Sequence, residues 1–523
     1  MMLSAASSAL RALQNAALAL IFLGLWQGLA IVLEGSYLLA GPIEICAYLM
    51  DNGALILRAL KVTAFAAGAG FLIGNLVAIL LAVTAILLPR TERLISALAL
   101  VTFCLPLVAT GPILRVLWGQ GAGPQITLAA LAVYYTTYLP LMVGLRAAPP
   151  SWFDLIKTYG RGRVAALIEV RAISALPYLI AGLQIAAPAA FLGAMIGEFT
   201  GAERGLGVLT IRAMRGLDLA GTWAIAVVAA GASMLAYAAV GWIGRRFGAG
   251  PPPLILAPQR PQAGHWFTAA SWPLIVIAAT VALWWASMEA FDLSRFFAKR
   301  PADVWAFMLT DATAAQNRAT LLTALRETLV LTIPGYLLGL ATGMLLAMGI
   351  ALIPAVARLI MPLAIALRAI PIIITAPLIV VALGRGPAAT ITIVALMIFF
   401  PTLIACLQGL SRVPQQVLDL FNSYAASSLR RVFSAQAPAM LPAFFAAARM
   451  AVPAAVLAAT TAEWLATGRG IGGLMALTAS TSGYGMLWSS VVVLVAIAVL
   501  GYLAVAQMER SVLRIYGAEQ LTR

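Results

Sequence analysis

The chain has 523 residues, 63% of them hydrophobic and only 10% charged, with a mean hydropathy of +0.99; that is too little polar surface to enclose a water-soluble body, so the protein is an integral membrane protein. Its net charge of +15 is carried by basic residues scattered between apolar runs, with no stripe of interleaved aromatics, which argues against nucleic-acid binding. Three cysteines without C-x-x-C spacing and a single histidine, His265 beside Trp266, leave no disulfide framework, no metal site and no histidine-based triad.

Apolar stretches of the ~20 residues needed to cross a bilayer fall in the first half at 15–33, 62–88, 94–118, 124–146, 174–198 and 222–244. The first is longer than the apolar core of a secretory signal, so an uncleaved helix is expected. The segment 247–262, with Gly248-Ala249-Gly250-Pro251-Pro252-Pro253, breaks every helical period and reads as an extended cytoplasmic linker. The domain boundaries follow as 1–246 for a first repeat, 247–270 for the linker and 271–523 for a second repeat. Spans in the second repeat fall at 271–290, 326–352, 357–383, 388–410, 437–463 and 486–508. The fold class is therefore all-α, with about twelve spans.

The two halves are copies. At a separation of 265 residues Thr63 falls on Thr328, Pro106 on Pro371, Asp154 on Asp419, Tyr159 on Tyr424, Pro177 on Pro442, Glu198 on Glu463 and Gly207 on Gly472, with no gap between the first and last of these. Six spans per copy is an even number, so both copies face the same way and are related by an axis along the membrane normal. With both termini cytoplasmic, the pairs Arg90/Arg93, Arg161/Arg163, Arg245/Arg246, Arg430/Arg431 and Arg510/Arg514 all fall on the inner face.

Between the fourth and fifth spans the first copy reads Pro149-Pro150-Ser151-Trp152-Phe153-Asp154-Leu155-Ile156-Lys157-Thr158-Tyr159-Gly160, with Leu176-Pro177 downstream. The second copy reads Pro414-Gln415-Gln416-Val417-Leu418-Asp419-Leu420-Phe421-Asn422-Ser423-Tyr424-Ala425, with Leu441-Pro442 downstream. A proline, an acid near the positive end of the dipole and apolar residues at helical spacing describe a short amphipathic helix on the inner face. Such a helix either rests on lipid or meets a partner, and its recurrence favours a symmetric partner.

This pattern resembles the EAA loop of bacterial ATP-binding-cassette importer permeases. Leu105-Pro106, Gly197-Glu198, Gly205-Leu206-Gly207, Ala462-Glu463 and Gly470-Ile471-Gly472 are similar to the nitrate, sulfonate and taurine permeases in particular. The resemblance implies a bacterial inner-membrane permease with two permease units fused in one chain. It implies two cytoplasmic ATPase subunits that dock on the loops, through Asp154, Leu155, Ile156, Tyr159 and Gly160 in one copy and Asp419, Leu420, Phe421, Tyr424 and Ala425 in the other. A periplasmic or lipid-tethered binding protein would deliver the solute. The chain departs from the family pattern in using Asp for the usual Glu twice and Ala425 for the loop glycine.

The only lysines, Lys61, Lys157 and Lys299, follow Leu60, Ile156 and Ala298, so no phosphate-cradling Gly-Lys-[Ser/Thr] exists and ATP and magnesium would be used by partner subunits. An ion-gradient-driven carrier of six plus six spans is the alternative, although the acidic residues cluster near span ends. A membrane enzyme lacks the side chains for acid–base or metal chemistry. Substrate-path candidates are the polar residues within spans: Arg115, Arg368 and Arg449, with Gln184 as the mate of Arg449, each of which faces either a path or a structural partner. Guanidinium groups suit an anionic or zwitterionic solute. Glu198 and Glu463 either brace a gate or are satisfied locally by backbone or by Arg204 and Arg469.

Overall fold

The computed structural model describes residues 20–33, 35, 39–119, 121–247, 266–353, 355–357 and 372–516, and among them every regular element is helical. The first half consists of α1 (Leu20–Val32), α2 (Pro42–Leu87), α3 (Glu92–Phe103), α4 (Leu107–Trp118), α5 (Gly123–Arg146), α6 (Pro150–Thr158), α7 (Arg163–Phe199), α8 (Leu206–Arg215) and α9 (Leu219–Arg246). The second consists of α10 (Trp266–Ala290), α11 (Pro301–Trp305), α12 (Ala314–Leu352), α13 (Ile372–Leu383), α14 (Pro387–Leu410), α15 (Gln415–Ser423), α16 (Ser428–Thr467), α17 (Gly470–Ser480) and α18 (Tyr484–Tyr516).

Nine described helices are long and apolar enough to cross a membrane, or ten if α3 and α4 count as one span. The count of twelve is thus not reached, for identifiable reasons. The first expected span is described only as Leu20–Val32, and 357–383 only in part, as α13. The single span expected at 94–118 is corrected: α3 and α4 meet at 93° across Pro106, which lacks an amide hydrogen and is itself extended (φ −71°, ψ 104°). The linker core 248–265, and with it His265, lies outside the described residues.

α2 has 46 residues, a length of about 69 Å at ~1.5 Å per residue, so it projects well beyond a hydrocarbon layer of about 30 Å. Its start lies at Pro42, twenty residues before the expected span. Gln27 explains this, since its Oε1 accepts the Ile43 amide at 3.1 Å and Trp26 Nε1 donates to the Ala40 carbonyl at 3.0 Å. α1 thereby caps α2, satisfying an amide that a helix start otherwise leaves free.

Each half is built on a trio of long helices, α2–α5–α7 and α12–α14–α16, with α9 and α18 packed outside them. Lipid tails are as apolar as the side chains they meet, which leaves embedded helices no hydrophobic incentive to associate, so close backbone approach between small residues does the work. A Cβ on Gly74 would lie 2.6 Å from the Ala130 carbonyl oxygen, and one on Gly339 would lie 2.7 Å from that of Ala395. These glycines are mates across the repeat, as are Gly70 and Gly335 before them.

The halves interlock. Cys104 and Ala109 from the bent pair are buried in one cluster with Leu321, Ile471, Leu487 and Leu494 of the second half. Reciprocally, α13 packs on α7 and α9. Leucine at Gly74 or Gly339 should push the trio apart, and a purified G74L or G339L protein should melt at least several degrees below the parent in detergent, whereas leucine at Gly231, which has open space, should not.

Candidate functional site

Two features recur in both halves at the 265-residue separation and lie at opposite ends of the long helices α7 and α16. At one end are the short helices α6 and α15. Both start after a proline in extended conformation, Pro149 (ψ 141°) and Pro414 (ψ 140°). Both end in the same two hydrogen bonds, Gly160 N to Lys157 O and Arg161 N to Ile156 O, matched by Ala425 N to Asn422 O and Ala426 N to Phe421 O. That ending requires a left-handed residue. Gly160 takes it at φ 66° and Ala425 at φ 49°, so the alanine keeps the loop geometry at the cost of strain.

The outward faces of the two helices match. Leu155 and Leu420 are 57% and 56% exposed, Tyr159 and Tyr424 are 73% and 80% exposed, and Asp154 and Asp419 are also exposed. Of the other expected docking residues, Ile156 is buried and Phe421 half-buried. Asp154 lies 3.9 Å from Lys157, and Asp419 accepts from Gln415 Nε2 at 2.9 Å. A large leucine and a tyrosine held in the open beside an unburied carboxylate form a surface that a protein groove can cover.

At the other end each half has a buried carboxylate clamp. Thr63 Oγ1 donates to Glu198 Oε1 at 2.6 Å and accepts the Leu206 amide at 2.9 Å, while the Gly207 amide donates to Glu198 Oε2 at 2.6 Å. In the second half Thr328 Oγ1 donates to Glu463 Oε2 at 2.9 Å and accepts the Ile471 amide at 2.9 Å, and the Gly472 amide donates to Glu463 Oε2 at 2.9 Å. Each carboxylate thus sits on the first turn of α8 or α17, where free amides and the helix dipole favour an anion. Glu198 is 1% and Glu463 2% exposed. Arg204 and Arg469 are exposed and take no part. The close fit demands glycine, since a Cβ on Gly205 would lie 2.2 Å from the Glu198 carboxyl carbon and one on Gly470 2.3 Å from Glu463 Oε1.

The remaining candidates separate. Arg449 is buried and its Nε lies 3.0 Å from Glu509 Oε2, the two side chains being 5% and 4% exposed, with Tyr502 at 5.8 Å beneath the guanidinium. The alignment is imperfect, and Arg449 Nη1 and Glu509 Oε1 have no hydrogen-bond partner. Its mate Gln184 faces α9, where a Cβ on Gly241 would lie 2.3 Å from Gln184 Nε2. Both positions therefore face the last helix of their own half. Arg115 is half-buried on α4, its guanidinium against Gly201, and makes no ion pair among the described residues. Arg368 lies outside the described residues.

Thr63 and Thr328 were visible as repeat mates, but nothing in their sequence context marks them as carboxylate partners. Glu509 lies one residue past the expected span end and beside Arg510, so it reads as an interfacial charge. The aromatic–cation contact of Arg171 with Phe153, 4.5 Å from ring centroid to Cζ, has no sequence signal at a separation of eighteen residues.

Comparison with known proteins matches the same duplication. The family described as binding-protein-dependent transport system inner membrane component matches this chain twice, over residues 70–249 and 335–514. A probable ABC transporter permease protein of Haemophilus influenzae is 30% identical over 234 residues, which are 43% of this chain and 93% of that protein. The formylaminopyrimidine transport permease protein ThiX of Halalkalibacterium halodurans is 27% identical over 44% of this chain and 92% of its own length. A putative aliphatic sulfonates transport permease protein, SsuC of Bacillus subtilis, is 23% identical over 29% of this chain and 56% of its own. The first two relatives are matched almost end to end by less than half of this chain.

The Arg449–Glu509 pair has a built-in control. Glu509→Ala strands a buried cation and should cost about 3–5 kcal/mol, seen as a lower melting temperature in detergent. The double change Arg449→Gln with Glu509→Gly, which copies Gln184 and Gly244 of the first half, should recover most of that loss.

Proposed function

The chain belongs to the binding-protein-dependent transport system inner membrane component family, whose unit it carries twice, and on that premise we propose that one polypeptide lines both sides of the pathway of an ATP-binding-cassette importer in the bacterial inner membrane. It is the permease component. Separate ATPase subunits bind and hydrolyse Mg-ATP and grip α6 and α15 at the cytoplasmic face, and an external binding protein delivers the solute at the clamp face.

The observation that carries this reading is the twin outward surface Asp–Leu–Tyr, repeated on α6 and α15 with the same helix ends and nearly the same exposure. Recurrence of that surface in both halves at one separation of 265 residues favours a symmetric protein partner over lipid. The two clamps support alternating access. They fix α8 to α2 and α7, and α17 to α12 and α16, so each half moves as a unit while the interlocked bent pair accommodates the change.

The solute is small and anionic or zwitterionic. Arg115 supports this, as a guanidinium on the bent pair between the halves with no ion pair among the described residues, whose mate in the second half, Val380, is apolar and buried. Aliphatic sulfonates, named for one relative of this chain, are the first solutes to try, with formylaminopyrimidine and riboflavin, named for two others, as comparisons that carry no acidic group.

Lysine at both Asp154 and Asp419 should leave the permease folded, abolish co-purification of its ATPase and reduce ATP-driven uptake into proteoliposomes by at least tenfold. Uptake that persists in the double variant without any bound ATPase would overturn the reading in favour of an ion-driven carrier.

A further inference from the structure

The outward faces of α6 and α15 match, but the inward faces do not. In the first half Phe153 and Ile156 form a small buried cluster with Ala148, Val170 and Ala166. Above Phe153 lies Arg171, its Cζ 4.5 Å from the ring centroid, and Arg171 Nη1 donates to the Leu145 carbonyl at 2.7 Å. One guanidinium therefore joins three elements: α6 through Phe153, the last turn of α5 through Leu145, and α7, on whose π-helical stretch Ala166–Arg171 it resides.

At the repeat mates of these positions stand Leu418, Gln436 and Leu410. A leucine offers no ring face and a glutamine no charge, so the same brace cannot form. Gln436 Oε1 is buried without a hydrogen-bond partner. No residue of α15 is buried, whereas Ile156 of α6 is. α6 packs on the π-helical stretch of α7, whereas Leu418 and Phe421 of α15 are half-buried and belong to no buried apolar cluster among the described residues.

We propose that Arg171 is a positioning residue that fastens the first docking helix to α5 and α7, leaving the second docking helix as the compliant member of the pair. Motion applied to α6 is relayed to two membrane helices as a rigid body; motion applied to α15 is partly absorbed locally. The exposed Asp–Leu–Tyr surface is preserved on both sides, so the inequality lies in transmission and not in recognition. This inference rests on reading α6 and α15 as docking helices.

Amide hydrogen exchange on the full chain in lipid nanodiscs tests it without an ATPase present, so its failure is separate from a failure of the docking reading, which the Asp154 and Asp419 reversal examines. Peptides covering 151–160 should exchange roughly tenfold more slowly than those covering 416–425, about the factor that one partly desolvated cation–π contact supplies. Arg171→Gln, which copies the second half, should raise 151–160 to the rate of 416–425 while leaving 416–425 unchanged. Arg171→Lys retains a cation and a donor and should keep most of the protection. Leu418→Phe with Gln436→Arg should slow 416–425. Equal exchange of the two segments in the parent overturns the proposal, as does an Arg171→Gln effect spread evenly along α5 and α7 or not recovered by lysine.

Discussion

A carboxylate buried against the first turn of a short helix is the constraint on which each half depends. Burying Glu198 at 1% exposure is unfavourable unless its oxygens are met by fixed donors. The half supplies a threonine hydroxyl from the middle of α2 and a backbone amide at the start of α8, each charge-assisted bond contributing on the order of 1.5–3 kcal/mol. Three elements distant in sequence are thereby fixed at one point, and the second half repeats the device around Glu463 and Thr328. The Gly-x-Gly segments at the starts of α8 and α17 are not linkers of convenience, because a side chain at Gly205 or Gly470 would occupy the carboxylate's own space.

Fusing two copies permits what a homodimer forbids, namely divergence between the halves. The divergence is selective. The clamp, the helix-packing glycines and the outward docking surface are kept, whereas Arg115, the Arg449–Glu509 pair and the Arg171 brace each occur in one half only. What is shared belongs to the frame and, on the proposed reading, to partner recognition. What differs lies beside the region between the halves, in the second half's outer packing, or beneath one docking helix, where a symmetric protein would have to accept the same residue twice.

Much of this was legible in the sequence because the duplication runs without a gap, so each repeat mate supports the reading of the other. The short helices α6 and α15 were legible for a further reason: proline, acid and apolar residues at helical spacing define a short amphipathic helix without tertiary information. The clamp was half legible, as Glu198 and Thr63 both have mates but are separated by more than a hundred residues, and only packing joins them. The 93° change of direction at Pro106 was not legible, since hydropathy reports apolar length and not orientation. Glu509 escaped notice because a charge at a span end is ordinarily solvated, and here α16 covers it.

The central claim is that an external motor moves two matching helices on one face of a duplicated permease. The most direct measurement is the distance between spin labels at positions 155 and 420, taken by pulsed dipolar spectroscopy in lipid on the chain with its ATPase bound, with and without trapped Mg-ATP. The expected result is a nucleotide-dependent change in that distance which vanishes when the ATPase is removed. A distance that is the same in both nucleotide states, with the ATPase bound and turning over, contradicts it.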